Sequence, residues 1–272
     1  MVDILLKEVY TIKTEKVENS RVRFSKRKIK QEVLSPIQCI QRAIEMFGNN
    51  IAVSCSFGRD SVVVLDMTRK LIPNVKVIYN NTGVEYPETL SYKEKLKELW
   101  NLNLIETKPI HSFWWCVRHY GLPVGRKAKG SWGKPMCCWY CKDLPFLNVC
   151  EELGIKANIT GIKASDSRAR MFTIAQRGQY YFRKTRGAVW QFHPLACWTT
   201  KEVSQYLDCN NIPLNPLYKM GYTGTGCMTC TAFLDWETNL SKANPKLYQF
   251  VKRLWEKEGH GKVKGRQCGD ED

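Results

Sequence analysis

The chain contains no apolar run approaching the roughly 20 residues that a membrane-spanning helix needs. It shows no amino-terminal secretion signal and no internal repeat. A membrane protein is therefore set aside, and cytoplasmic residence is the expectation. Acidic side chains are also in short supply: 26 Asp and Glu face 42 Lys and Arg, a formal net charge of +16. That imbalance favours a polyanionic partner, either a nucleic acid or a highly charged nucleotide, and does not choose between them. What remains suffices for a core. The 272 residues, 43% of them hydrophobic, fit one large domain or one domain with appendages.

Cysteine, by contrast, is plentiful. Twelve cysteines in a cytosolic chain point to metal binding or thiol chemistry rather than a disulfide framework. Two groups stand out: Cys137, Cys138 and Cys141, then Cys227 and Cys230. Two separated thiolate pairs can enclose a soft metal centre, and the Cys-x-x-Cys spacing suits zinc or iron–sulfur. With Cys138 and Cys141 as the first pair, the set looks like a four-cysteine zinc site. The adjacent pair Cys137-Cys138 is odd for zinc and points elsewhere.

The rest of the chain is organised around Val53 to Leu65. An apolar run, Ile51 to Val53, enters Cys55-Ser56-Phe57-Gly58-Arg59-Asp60-Ser61 and leaves into Val62-Val63-Val64-Leu65, the composition of a strand, a tight turn and a helix start. Gly58 permits positive φ or a close backbone approach. The first-turn amides of the helix have no internal partner and can hold an anion. The spaced glycines and Gly-Lys-Ser/Thr ending of a Walker loop are absent. The stretch resembles instead the Ser-Gly-Gly-Lys-Asp-Ser phosphate loop (PP-loop) of adenine nucleotide alpha-hydrolase-like enzymes.

Around it, strands and helices alternate. Ser35 reads as an N-cap with Pro36 at the first helical position, and Ile37, Ile40, Ala43, Ile44 and Phe47 share one face up to Gly48. Strands are expected at Ile51–Cys55, Val75–Tyr79, Leu102–Ile105, Ala157–Thr160 and Val189–Phe192. Helices are expected at Ser61–Lys70, Glu88–Trp100 and Thr200–Leu207. This order implies an α/β fold: a doubly wound, mostly parallel sheet with helices on both faces, binding its ligand at the carboxyl ends of the strands. Asn80-Asn81-Thr82-Gly83 would lie on that same edge. Residues 1–34, with six bases between Arg21 and Lys30, form a basic appendage. The middle interleaves aromatic residues (Phe113, Trp114, Trp115, Tyr120, Trp132) with Arg126, Lys127 and Lys129, a mixture that either packs a core or stacks on nucleotides.

Longer motifs carry a closer resemblance, over roughly residues 36–235, to the adenylyl-sulfate and phosphoadenylyl-sulfate reductase family. Cys137-Cys138 followed by Lys142, Pro145 and Phe146 resembles the first half of its cluster motif, and Asn215 to Thr231 the second. Gly161-Ile162-Lys163-Ala164-Ser165-Asp166-Ser167-Arg168 is similar to its arginine-bearing substrate loop, and His193-Pro194-Leu195-Ala196-Cys197-Trp198 to its Pro-Leu-x-x-Trp stretch. Thr82-Gly83 and Pro87-Glu88-Thr89 resemble its nucleotide loop. The chain departs from the family where Arg59 replaces an acid, Lys163 an arginine, and Gln267-Cys268-Gly269-Asp270 the tail's Glu-Cys-Gly-Leu-His. Cys141 is an additional thiol, and Phe233 to Glu237 stand where an Arg- and Trp-rich stretch is usual.

The resemblance implies a reductase cleaving 3′-phosphoadenylyl sulfate (PAPS), or adenylyl sulfate (APS), to sulfite through a cysteine S-sulfo intermediate that thioredoxin or a similar thiol resolves. It implies a [4Fe-4S] cluster on Cys137, Cys138, Cys227 and Cys230, with zinc as the alternative. Cys268, on a flexible C-terminal tail among Lys262, Lys264 and Arg266, is the expected nucleophile, with Cys141 in reserve. Ser54, Ser56, Phe57, Gly58, Arg59, Asp60, Ser61, Thr82 and Gly83 would shape the nucleotide site, with Lys163, Arg168 and Arg170 on its anionic oxygens. The basic surplus and Arg59 favour PAPS. The expected organisation is a basic appendage at 1–34, the PP-loop reductase domain with its cysteine-rich insert at 35–235, and a C-terminal helix and tail at 236–272. A rival reading is ATP-dependent sulfur transfer to tRNA or DNA. A non-catalytic binding module is a third, and a homo-oligomer stays open.

Overall fold

The first helix, α1 (Pro36–Phe47), begins where Ser35 and Gln38 cap each other: the Ser35 hydroxyl accepts from Gln38 N at 3.3 Å, and Gln38 Oε1 accepts from Ser35 N at 2.9 Å. It ends at Gly48, whose φ of +54° suits a residue without Cβ. The computed structural model describes residues 33–124, 135–183 and 188–258.

Six strands form one sheet in the order β3-β2-β1-β4-β6-β5. They are β1 (Ile51–Ser54), β2 (Lys76–Asn80), β3 (Asn103–Thr107), β4 (Ala157–Thr160), β5 (Tyr180–Arg183) and β6 (Val189–Phe192). All neighbours run parallel except β5, which pairs antiparallel with β6 at one edge. The expected strands are all present, each within two residues at its ends. β5 was not anticipated.

Helix α2 (Arg59–Leu71) follows β1, and its Val62, Val63, Val64 and Leu65 are wholly buried. A helix apolar on that many sides has to lie inside the molecule. It packs with Ile40 and Ala43 of α1, and with Val203 and Leu207 of α8 (Thr200–Cys209), in the main core. Helix α3 (Pro87–Leu99) connects β2 to β3.

The aromatic middle folds as α4 (Phe113–Tyr120), and its Phe113 and Val117 are core residues. They share a second cluster with Trp236 and Leu240 of α9 (Trp236–Ala243) and Val251 of α10 (Pro245–Glu258). The helices beyond residue 235 thus pack against the body of the fold. Arg126, Lys127, Lys129 and Trp132, for which packing and stacking were both open, lie outside the described residues.

The first cysteine group sits on a helical run of unusual pitch. A short α5 (Met136–Cys138) passes into a π-helical turn (Trp139–Asp143) and then α6 (Leu144–Glu152). Leu144 N donates five residues back to Trp139 O, and the Tyr140 carbonyl accepts from Ile110 N at 2.9 Å. Single π turns of this kind cluster at functional sites.

Chain direction across the sheet reverses at β1: β2 and β3 lie on one side of it, β4, β6 and β5 on the other. Loops leaving the carboxyl ends of β1 and β4 therefore flank the crevice where such folds bind ligands.

Candidate active site

The loop after β1 is held from several directions. Ser54 Oγ donates to Asn158 Oδ1 of β4 at 2.8 Å. Ser61 Oγ reaches back to the Gly58 carbonyl at 2.9 Å and lies 3.3 Å from Ser56 Oγ. Phe57 takes φ +55°, a conformation that costs a non-glycine residue about 1–3 kcal/mol. Its ring, fully buried, packs edge-on to Tyr79 at 5.4 Å and Tyr92 at 6.4 Å, and its carbonyl accepts from Asn215 Nδ2 at 3.1 Å. Only the Phe57 backbone can therefore face a ligand.

Gly58 is the N-cap of α2 and supplies no side chain to its amides. A Cβ there would lie 2.8 Å from Thr225 Oγ1 and 3.1 Å from the Tyr218 hydroxyl, so glycine lets these two side chains close over the loop. Tyr218 accepts from Arg59 N at 3.2 Å, and the Arg59 guanidinium stands 5.0 Å from its ring centre. Among the described residues Arg59 forms no ion pair. Tyr218 and Thr225 were not singled out from the sequence. They stand about 160 residues from the loop they close, and no local pattern signals such a contact.

The loop after β4 presses against the same helix start. A Cβ on Gly161 would fall 2.6–2.8 Å from backbone atoms of Asp60 and Ser61. Two residues on, Lys163 is 1% exposed, with its ammonium 2.5 Å from Asp60 Oδ1 and 2.9 Å from Asp166 Oδ1. Asp60 Oδ1 receives no aligned hydrogen bond, so charge rather than hydrogen-bond geometry holds that pair. Asp166 also pairs with Arg170, while Arg168 opens α7 (Arg168–Arg177) on the exposed side. Ser167 caps this helix by accepting from Arg170 N at 3.2 Å. Behind it His193 is buried, 2.7 Å from Thr160 Oγ1, and burial together with nearby Arg170 lowers its pKa to about 4. The ring is neutral at physiological pH and serves as structure.

The third loop joins β2 to the cysteines. Asn81 Oδ1 accepts from Gly83 N at 2.9 Å, and Thr82 Oγ1 donates to Glu85 at 2.7 Å. Thr82 Oγ1 also lies 3.4 Å from Cys227 Sγ, and Met228 N donates to Val84 O at 2.9 Å. Cys137 and Cys138 are hydrogen-bonded to each other, and Cys137 feels the charge of Cys230 and Cys227. That hydrogen bond and burial push the Cys137 thiol well up, and burial beside Cys227 pushes Cys230 to about 12. Lys142, beside Cys227, is held in its charged form by that sulfur.

The expected ligands thus meet as two pairs. Among the described residues no three metal-ligating side chains converge on a single ion. Four thiols from two segments, with a lysine to offset negative charge, suit the donor chemistry of a larger iron–sulfur cluster. Thr229, between Cys227 and Cys230, is buried with its hydroxyl unpartnered, as is the Tyr79 hydroxyl, an electrostatic neighbour of Cys227. Both are donors that sulfur atoms could accept from.

Cys268 lies outside the described residues. Cys141 is 2% exposed, donates to His111 O at 3.3 Å, and is raised to about 12 by burial and by Cys116. A thiol so enclosed and protonated is a poor nucleophile.

A phosphate-type loop at the switch point of a parallel sheet, faced by an arginine-bearing loop and a cysteine-rich wall, defines an α/β nucleotide-binding enzyme. Residues 50–233 match the model of the phosphoadenosine phosphosulfate reductase domain, and the chain belongs to that family. An adenosine 5′-phosphosulfate reductase of Lysinibacillus sphaericus is 28% identical, covering 72% of this chain and 79% of its own length. A phosphoadenosine 5′-phosphosulfate reductase of Gloeobacter violaceus is 30% identical over 74% of this chain and 80% of its own. The crystal structure of a phosphoadenylyl-sulfate reductase from Candida auris superimposes with a TM-score of 0.55 at 24% identity, covering 71% of this chain and 88% of that one, and shares the fold. The protein is accordingly an enzyme of the sulfonucleotide reductase class.

Proposed function

We propose that the enzyme cleaves PAPS to sulfite and adenosine 3′,5′-bisphosphate in the cytoplasm, with thioredoxin or a similar thiol as reductant. The observation that carries this reading is the close approach of two anion-binding loops at the switch point, Gly161 against Asp60 and Ser61. The first-turn amides of α2 would receive a phosphate, because Gly58 leaves them without a side-chain cap. Arg168 and Arg170, at the start of α7, would face the sulfate. Arg59, carrying no ion pair among the described residues, is available to a 3′-phosphate, which favours PAPS over APS.

Cys268, flanked by Lys264 and Arg266, is the proposed nucleophile. Its thiolate attacks the sulfate sulfur; the S–O bond to the nucleotide breaks and the phosphate departs with the electron pair. The resulting S-sulfocysteine is attacked by a second thiol at the cysteine sulfur, sulfite leaves, and a disulfide remains. Two thiols supply the two electrons that reduce the sulfur. Cys137, Cys138, Cys227 and Cys230 would hold a [4Fe-4S] cluster, which when bound places a compact charged centre beside the nucleotide loop. Thr82 and Lys142 lie against Cys227 and would stand beside such a cluster.

The test is sulfite release under anaerobic conditions from PAPS and from APS, with thioredoxin or dithiothreitol, alongside Cys268→Ser. Sulfite released chiefly from PAPS and lost in the variant is the expected result. A preference for APS would overturn the substrate assignment, and sulfite surviving the substitution would overturn the nucleophile. No sulfite from either nucleotide would overturn the reductase reading itself.

A further inference from the structure

The loop after β1 and the arginine-bearing loop are joined by a chain of charges centred on one buried lysine. Lys163 has almost no solvent exposure, and its ammonium meets two carboxylates, Asp60 at 2.5 Å and Asp166 at 2.9 Å. Asp166 meets the ammonium through Oδ1, while its Oδ2 accepts from the Lys163 amide at 3.3 Å and also pairs with Arg170. Burial alone would raise the Asp166 pKa; Lys163 and Arg170 nevertheless hold the carboxyl below the usual range. The chain Asp60–Lys163–Asp166–Arg170 alternates in sign and sums to zero. A lysine sealed from solvent and already paired with two carboxylates has its charge offset before any substrate anion arrives.

We propose that Lys163 is a positioning residue rather than a substrate contact: through Asp60 and Asp166 it fixes the starts of α2 and α7 relative to each other, so that Arg170 is presented to the anion. Asp166 is the hinge of this arrangement. It is the group through which the buried cation reaches an exposed arginine, and the motif that contains it assigned it no role. The proposal rests on the sulfonucleotide reading of the site and adds to it a division of labour. Arg59, Arg168 and Arg170 would meet the ligand, while Lys163 and Asp166 would keep their platform rigid.

The two possible roles of Lys163 give opposite signs for one substitution. If Lys163 contacts substrate and is merely parked on Asp166, Asp166→Asn frees it and tightens binding. If it is a positioning residue, Asp166→Asn releases Arg170, separates the two loops and weakens binding. Loss of a charged hydrogen-bond partner sets the scale at roughly tenfold. The measurement is calorimetric titration of the full chain with adenosine 3′,5′-bisphosphate and with AMP, together with KM and kcat for sulfite release. The expected result is a roughly tenfold weaker nucleotide affinity and a raised KM for Asp166→Asn, partly restored in Asp166→Glu. Lys163→Met leaves two carboxylates facing each other and threatens folding. Lys163→Met/Asp166→Asn removes that repulsion, and it should bind no more weakly than Asp166→Asn alone, since the lysine acts through the aspartate. Tighter binding in Asp166→Asn, or a further large loss in the double variant, would overturn the positioning role. Failure of the wild-type chain to bind either nucleotide would overturn the sulfonucleotide reading beneath it, an outcome separable from the others by inspection of the wild type alone.

Discussion

Thr82 touches Cys227: its hydroxyl oxygen stands 3.4 Å from the sulfur, while the same group donates to Glu85. The nucleotide-side loop after β2 and the Cys-x-x-Cys turn are therefore one unit, further tied by Met228 N to Val84 O at 2.9 Å. Whatever binds the thiols sets the position of Thr82, and the reverse holds by linkage.

This contact sorts the cysteines. Anaerobic reconstitution with iron and sulfide should load the wild type. Loading should fail in Cys138→Ser and Cys227→Ser. Cys141→Ser should retain iron, because Cys141 is turned toward the His111 carbonyl and Cys116. Iron, sulfide and zinc content checks this. One zinc per chain without iron would replace the cluster with a mononuclear site.

The buried His193 gives a pH signature. Its pKa is about 4 in the folded chain against 6.5 for the free side chain. Between those values the unfolded chain binds a proton that the native one refuses, so stability falls as pH drops from 6.5 to 4 and is unaffected by this group above 6.5. The loss is on the order of 3 kcal/mol. Denaturant midpoints across this range should show it, and His193→Gln should flatten the slope.

Gly161→Ala tests the contact between the two loops. The added carbon would meet Asp60 and Ser61 backbone at 2.6–2.8 Å, where nothing flexible can yield. Overpacking of this kind costs about 1–3 kcal/mol, and thermal denaturation should register it with a loss of nucleotide affinity. Gly224→Ala is the control: a carbon there meets nothing within 4 Å, and both stability and affinity should hold.

The proposed contact of Arg59 with a 3′-phosphate is tested on both nucleotides. Arg59→Ala should raise KM for PAPS by roughly tenfold, the scale of a charged hydrogen bond, and leave KM for APS within about twofold. Equal losses on both would place Arg59 on a phosphate that the two substrates share. Parallel initial-rate series with each nucleotide separate these outcomes.

Much of the fold could be read from local chemistry. The Ser35–Gln38 box, Pro36 and the one-sided spacing from Ile37 to Phe47 mark α1, and the run from Ile51 into Gly58 marks the strand–turn–helix at the centre. These signals sit within a few residues of what they specify. The site was legible as a set of segments but not as a set of contacts. Phe57 occupies a phosphate loop, yet its ring belongs to the core, because positive φ turns it toward Tyr79 and Tyr92. Lys163 reads in the sequence as a contact for the substrate's anionic oxygens, whereas in the fold it is enclosed by two carboxylates. Strand β5 pairs antiparallel against β6, a register set by its neighbour rather than by its own sequence. The π turn between Cys138 and Leu144 likewise has no local signature: its carbonyl partner, Ile110 N, arrives from elsewhere.

The central strand has a consequence for how the protein is made. β1 lies between β2, its immediate successor, and β4, whose Ala157 pairs with Ile51. Roughly a hundred residues must leave the ribosome after β1 before that second partner exists, and the clasp of Tyr218 and Thr225 over Gly58 comes later still. Non-local closure of this kind is slow and leaves a hydrophobic strand edge uncovered while synthesis proceeds. The nucleotide pocket is therefore among the last features to mature on the nascent chain, and chaperone occupancy should peak while β1 waits for β4.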